Sequence, residues 1–597
     1  MHDVVRNVAI SIACRDQHVF SVRYDEDVWD WPDEDTLRKC NAISLIKNSN
    51  CEFPEGLECP NLEFLYISLK DSSREINIPG NFFVGMKKLR VLDFTLMQFS
   101  SFPSSIDLLV NLHTLCLDQS ALGDIAIIGK LKSLEVLSFV RSDIKKLPEE
   151  LSQLSKLRLL DLTNCFHLKV IAPNVISSLT RLEELYMGNC CIEWEVERDN
   201  RERSNASLDE LMHLPRLTTL EIDVKSYNIL PAGFLARKLE MFKISIGNGL
   251  FMHPMNVEQH WFKSRPCFSI NSDRKSSRSL KLKLDFMDIC STKLQGINNV
   301  ECLWLDKLQG IENVLFNLDT EGFSQLKLLW VQNNPDFFCI VDSRAMSLIL
   351  LNLINMERIC IDRLKVESFN KLKTVEAYNC DKLSNIFWLS TTKCLPRLER
   401  IAVVNCSKMK EIFAIGGEVD NAIEKIEFAQ LRSLSLGNLP EVTSFCREVK
   451  TPSASPNRPA SQEELTTTYS SSEITLDTST LLFNEKVVLP NLEALEISAI
   501  NVDKIWHCNQ IPAAVFPHFQ SLTRLIVWCC HKLKYIFSAI EDFKGGSGFT
   551  SELPQLCYGC CCYFVRGGHA KKALQLWLLA EVRCSMRTRM QVYSTKG

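Results

Sequence analysis

Asn61–Ser68 reads NLEFLYIS, Lys88–Thr95 reads KLRVLDFT and Asn111–Asp118 reads NLHTLCLD. Ser133–Val140, Lys156–Thr163 and Arg181–Gly188 continue the series. All fit L-x-x-L-x-L, with Ile, Phe or Met replacing some leucines. The first leucines fall at 62, 89, 112, 134, 157 and 182, a spacing of 22 to 27 residues. That period is the signature of leucine-rich repeats. Such a unit cannot cover its own apolar face, and stacking against its neighbours does so. The predicted fold is an α/β solenoid: a leucine-rich-repeat horseshoe with a parallel β-sheet on the concave face and short irregular or helical returns outside. In a strand, alternate residues face opposite ways. The leucines therefore point inward and the residues between them form a surface.

Cysteine supplies a second regularity. Cys165, Cys190, Cys380, Cys406 and Cys530 each stand eight residues after a repeat leucine. Around the last three the chain reads C-x2-[LM]-x2-I-F, ending at Phe387, Phe413 and Phe537. The bend after each strand leaves backbone groups that need partners. Asn commonly serves there, and Asn334 is a candidate. Cys is small, buries readily and is a weak S–H donor. We expect a ladder of inert core thiols rather than a metal site, because zinc needs several ligands converging on one point. The cluster Cys557, Cys560, Cys561 and Cys562 lacks a second ligand pair for zinc, with only His569 and Cys584 following, and is read as an accident of an atypical tail.

Composition narrows the function. The 597 residues carry a net charge of −4, which gives no electrostatic reason to expect nucleic acid as a partner. No apolar run is long enough to span a bilayer, and the first residues lack a secretory pattern. The 25 cysteines are scattered, as in a reduced cytoplasmic protein. No P-loop, dinucleotide-binding, zinc-protease or nucleophile-elbow motif occurs, so no enzyme is expected.

The expected organisation follows. Residues 1–24 form a helical segment and 25–42 an acidic linker. Repeats fill 43–246, an irregular insertion 247–279, and further repeats 280–446, with strands that include Met356–Ile359. A disordered Ser/Thr/Pro-rich insertion covers 447–484, final repeats 485–545, and an atypical basic tail with cysteines 546–597. Recognition is expected on the outward strand positions of the concave sheet. The candidates are Tyr66, Asp93, Asp118, Ser138, Asp161, Tyr186, Glu376, Tyr378, Arg400, Arg524 and Trp528.

The opening MHDVVRNVAISIA, followed by L-x-x-L-x-L-x-x-[CN] repeats and late C-x2-L-x2-I-F units, resembles plant intracellular disease-resistance receptors of the coiled-coil/nucleotide-binding/leucine-rich-repeat class. The likeness covers roughly residues 1–545 and begins at the Met-His-Asp motif that closes the family's nucleotide-binding module. It implies an ADP contact for His2, ADP or ATP as the cofactor of the complete architecture, and autoinhibition by the repeats. It also implies protein partners: a pathogen effector, a guarded host protein, or a nucleotide-binding module in cis or trans. The location implied is the cytoplasm or the inner face of the plasma membrane. With no P-loop in this sequence, no cofactor is expected here, and the chain reads as a truncated product. The alternatives are a ubiquitin-ligase substrate adaptor and a nonfunctional gene fragment.

Overall fold

The computed structural model describes residues 19–22, 31–47, 53–69, 75–99, 101–195, 203–237, 239–247, 278–283, 299–308, 325–337, 345–359, 369–415, 426–446, 480–484, 487–508, 521–533 and 535–539. The chain forms two compact units, residues 1–308 with 318–325 and residues 309–317 with 326–597.

In the first unit the repeat segments become parallel strands in strict register. Ile43 pairs with Leu65, Leu65 with Leu92, and Leu92 with Leu115. Leu115 pairs with Leu137, Leu137 with Leu160, Leu160 with Leu185, and Leu185 with Leu220. All of these leucines are buried. Each repeat thus adds one rung whose central leucine rests on the next, and the shared row is the core of a leucine-rich-repeat solenoid. At about 25 cal/mol per Å2, a fully covered leucine contributes about 1.5–3 kcal/mol. No rung could gain that alone.

The return halves are short. Ser104–Leu108, Ala126–Lys130 and Glu149–Gln153 are 3-10 turns, and Val175–Ser178 is one turn of α-helix. Pro103 and Pro148 stand directly before the first and third, extended at φ −61° and −75°. Proline fixes that geometry and leaves no orphan N–H there.

The second unit repeats the design. Leu329 pairs with Leu348, Leu348 with Val375, and Val375 with Ile401. Ile401 pairs with Leu434, Leu434 with Leu495, and Leu495 with Leu525. The strands Ser433–Leu439 and Ala494–Ile500 are direct neighbours, so the long segment between them leaves the ladder unbroken. As in the first unit, where Gln98–Phe99 pairs with Glu75–Ile76 and with Ala121–Leu122, the return halves carry parallel strands of their own. Phe387 pairs with Phe413, Phe413 with Cys446, and Phe483 with Trp506. The phenylalanine of the cysteine motif therefore lies in an outer strand. Its rings pack as a spine through Phe387, Phe413, Phe445, Phe483 and Trp506.

Three expectations change. Val19–Val22 is a strand paired to Ala42–Leu45, not part of a helix. The acidic linker contains a helix at Glu34–Lys39, with the Asp33 carboxylate accepting from Thr36 N–H at 2.9 Å. The strand of its repeat is Ser347–Leu351, not Met356–Ile359. Leu353, Met356 and Ile359 have the spacing of C-x2-[LM]-x2-I with leucine in the cysteine place, so they belong to the return half. In addition, Leu481–Phe483 is a strand inside the expected Ser/Thr/Pro-rich insertion. The rest of that insertion's core and the 546–597 tail lie outside the described residues.

Candidate functional site

Many of these strands lead into a turn that asparagine shapes. The residue two places past the strand leucines adopts positive φ: Asn164, Asn189, Asn333, Asn352, Asn379, Asn405 and Asn438 lie between 50° and 64°. Asn tolerates this region better than most residues. Within the second unit these amides form a ladder, Asn352 to Asn333 at 2.8 Å, Asn379 to Asn352 at 2.7 Å, and Asn405 to Asn379 at 2.9 Å. Asn438 adds a further step to Asn405 at 2.9 Å. The cysteines come next. The Cys165 thiol donates to Phe139 O at 2.9 Å and the Cys190 thiol to Leu162 O at 3.0 Å. They satisfy buried carbonyls of the preceding rung, and burial pushes the Cys165 thiol up to about 12. These thiols are structural. The asparagine ladder was not anticipated, although Asn before the cysteine position recurs visibly in the sequence.

The strand face of the first unit has three rows. One carries Tyr66, Asp93, Cys116, Ser138, Asp161 and Tyr186 as successive partners. Asp93 accepts from the Thr95 hydroxyl at 2.7 Å. Asp118, two residues beyond Cys116, accepts from the Ser138 hydroxyl at 2.6 Å and from Val140 N–H at 2.9 Å. Asp161 accepts from Thr163 N–H at 2.9 Å. Tyr186 donates to Glu184 at 2.6 Å. Gly188 lies beside Glu221, whose carboxylate would stand 2.2 Å from any Cβ there. A larger residue would displace the acid.

Partial burial raises the carboxyls of Asp93 and Asp118 above their usual range, against the lowering pull of their hydroxyl partners. Burial raises Glu221 as well. The Cys116 thiol is pushed up to about 12 by burial and by Asp93, Asp118 and Asp161. Among the described residues, no lysine or arginine forms an ion pair with Asp93, Asp118 or Asp161, whereas Glu221 has Lys243 at 3.6 Å. The face is therefore negative.

The second unit differs. Glu376 and Tyr378 are buried, at 8% and 6% exposure, rather than open to solvent. The Tyr378 hydroxyl donates to Glu376 at 3.0 Å, and Arg400 pairs with Glu376 at 2.9 Å. Arg524 stands 3.8 Å from Glu496. These charges serve one another. Trp528 occupies the register position beside Ser498. His2 lies outside the described residues. The structure thus brings Tyr66, Asp93, Asp118, Ser138, Asp161 and Tyr186 onto one face, and turns Glu376, Tyr378 and Arg400 into a self-satisfied cluster.

Comparison with known proteins agrees with this architecture. Residues 343–455 match the family described as plant disease resistance protein RPS2-like leucine-rich repeats, and residues 81–243 match a leucine-rich repeat region. Disease resistance protein At4g27190 of Arabidopsis thaliana is 26% identical over 478 residues, covering 75% of this chain and 45% of that protein. Probable disease resistance protein At4g27220 of the same plant is 25% identical over 470 residues, covering 75% and 48%. The chain spans about half the length of these curated relatives. A solved leucine-rich-repeat protein of Leptospira interrogans, LIC12759, overlaps 67% of this chain and 94% of its own at 16% identity, with a TM-score of 0.39.

Proposed function

We propose that this chain, which carries the leucine-rich-repeat region of a plant disease resistance protein, recognises a protein through the strand face of its first unit. One observation carries the reading: Asp93 and Asp161 in one row, with Asp118 two residues beyond Cys116 of that row, form a negative patch with no basic ion-pair partner among the described residues, on a face built by repetition. A packed interior would not keep such a patch. Extended sheet faces of this kind give repeat proteins their contact area, and half-exposed tyrosines such as Tyr66 and Tyr186 suit interface cores.

The partner is a pathogen effector or a guarded host protein, met in the cytoplasm, where buried thiols such as Cys165 stay reduced. In the complete receptor the same repeats hold a nucleotide-dependent switch off. A ligand releases it only by its difference in affinity between the held and released states. A guiding role of this kind needs no chemistry from the repeats, so we read the chain as a binding module and not as a catalyst. Among the described residues no helix is long and apolar enough to cross a membrane.

The test is proximity labelling in leaf tissue under pathogen challenge, with the complete receptor gene carrying this chain. Plant or pathogen proteins should be labelled by the parent and lost from the Asp93→Ala/Asp118→Ala/Asp161→Ala variant. A return-side control, Lys87→Ala/Lys130→Ala, should retain them. Labelling that ignores the strand-face variant and fails in the return-side one would place recognition elsewhere.

A further inference from the structure

Beside the acidic row runs a second, apolar one. Phe64 pairs with Val91, Val91 with Thr114, Thr114 with Val136, and Val136 with Leu159. These are not core residues. Phe64 is 38% exposed, and the others are half-buried. Four partly exposed apolar positions over five consecutive rungs, with Thr114 at the third, mark a contact surface more than isolated exposed residues do.

The borders of this stripe are unequal. On one side stand Glu63, Arg90, Glu135 and Arg158, whose charges balance: Arg90 lies 3.8 Å from Glu63 and Arg158 lies 3.9 Å from Glu135, and Arg158 also holds Glu183 of the next rung at 2.8 Å. On the other side stand Asp93, Asp118 and Asp161. The stripe ends at Glu184, the partner of Leu159. The three rows from Phe64 to Gly188 contain no lysine or arginine. The surface is therefore mainly apolar, broken at Thr114, and carries unpaired acid along one flank.

We propose that this stripe docks an amphipathic α-helix of the partner protein, laid across the strands, with one apolar residue per turn and lysine or arginine along one side. The inference rests on the recognition reading above and names the chemistry of the recognised segment. Geometry selects the helix. Neighbouring strands lie about 4.8 Å apart, and a helix advances about 5.4 Å per turn. Each turn can therefore set one side chain near one rung, and the five rungs span about 19 Å, or three to four turns. An extended peptide presents same-side residues about 6.8 Å apart and falls out of step after two rungs. Asp93 and Asp161 lie two residues along their strands from the stripe, about 6.8 Å away, within reach of a lysine side chain on the edge of such a helix, and Asp118 stands two residues further out. Apolar contact supplies affinity, while the carboxylates fix which way the helix lies and quicken its approach.

The experiment uses the purified full chain and a labelled 18-residue helical peptide with leucine once per turn and lysine along one flank. Two control peptides replace leucine by serine or lysine by glutamate. Fluorescence anisotropy should show saturable binding of the first peptide, weakened by added salt, and at least about tenfold weaker binding of both controls, about 1.4 kcal/mol. Asp93→Asn/Asp161→Asn should weaken the first peptide by a similar factor, as should Val136→Ser/Leu159→Ser. Circular dichroism confirms that each variant is folded, and the isosteric aspartate changes keep the test decisive if the serine pair is not. Absence of saturable binding, or binding that ignores both variants, overturns the proposal. If leaf labelling still depends on the strand face, that result removes only the helix chemistry and leaves recognition by this face standing.

Discussion

Phe413 is the sharpest place to test how the second unit holds together. It is fully buried, and its ring meets three others: Phe428 at 4.8 Å, Phe445 at 5.4 Å and Phe387 at 6.3 Å between centroids. Phe413→Ala removes the transfer free energy of a buried ring, about 1.5–3 kcal/mol. It also removes ring–ring attraction of about 0.5–1.5 kcal/mol per pair and leaves a cavity between rungs that cannot collapse without shifting the outer sheet. The combined cost should be about 3–5 kcal/mol, as for other buried aromatic truncations, and Phe413→Leu should cost much less. In a solenoid each rung contacts only its neighbours, so the loss should stay local. Hydrogen exchange of the full chain should show amides of Arg400–Val404 and Glu411–Ala414 exchanging about 100-fold faster or more, since 1.4 kcal/mol is tenfold. Amides of Leu159–Asp161 and Glu184–Met187 should keep their protection. Equal acceleration in both sets, or a change below about tenfold near Phe413, would refute the picture of stacked rungs joined by a ring spine.

Other expectations follow from the turns and the acidic face. Cys165→Ala removes the thiol donor to Phe139 O at 2.9 Å but leaves that carbonyl its Ser142 N–H at 3.0 Å, so the lost bond should cost about 0.5–1.5 kcal/mol and lower the thermal midpoint, while Cys165→Ser, which keeps a donor, should lower it less. Asn379→Ala places a side chain that disfavours positive φ at 54° and cuts the ladder on both sides. It should cost about 1–3 kcal/mol in urea unfolding, combining strain of about 1–2 kcal/mol with lost hydrogen bonds. Asp93 holds its proton to higher pH folded than unfolded. Its contribution to stability is therefore present in acid, falls as pH rises from about the ordinary 3.8 through the raised folded value, and stays lost at neutral pH. Asp93→Asn, which still accepts from Thr95, should accordingly gain thermal stability over the parent between pH 5 and pH 7. A gain that shrinks over that interval would contradict the sign.

Much of the fold was legible because its cause is local and repeated. L-x-x-L-x-L fixes which residues face inward, and a period of 22 to 27 residues fixes that each segment lies beside the next. The cysteine position was legible for the same reason, since a small weak donor is what a buried bend requires. Strand Ser347–Leu351 was missed because its repeat begins with Ala345 and puts Leu353 in the cysteine place, which weakens both signals. Val19–Val22 was missed because valines at helical spacing also suit a strand, and only pairing with Ala42–Leu45 decides between them. At the surface, the acidic row was readable from outward positions. The burial of Glu376 and Tyr378 was not, because it depends on Arg400 reaching across from the adjacent rung. The stripe from Phe64 to Leu159 occupies the second variable residue of each motif, and it becomes a surface only when the rungs stack in register.

Rung-to-rung register in the first unit can be measured directly by thiol cross-linking. Cys116 and Ser138 are strand partners, and their expected separation of about 4.8 Å suits a disulfide. Asp161 lies one strand further away. With Ser138→Cys, mild oxidation followed by peptide mapping should recover a Cys116–138 link, whereas Asp161→Cys should give no link to Cys116. A link from Cys116 to position 161, or none to position 138, would contradict the stacked sheet on which recognition by this face depends.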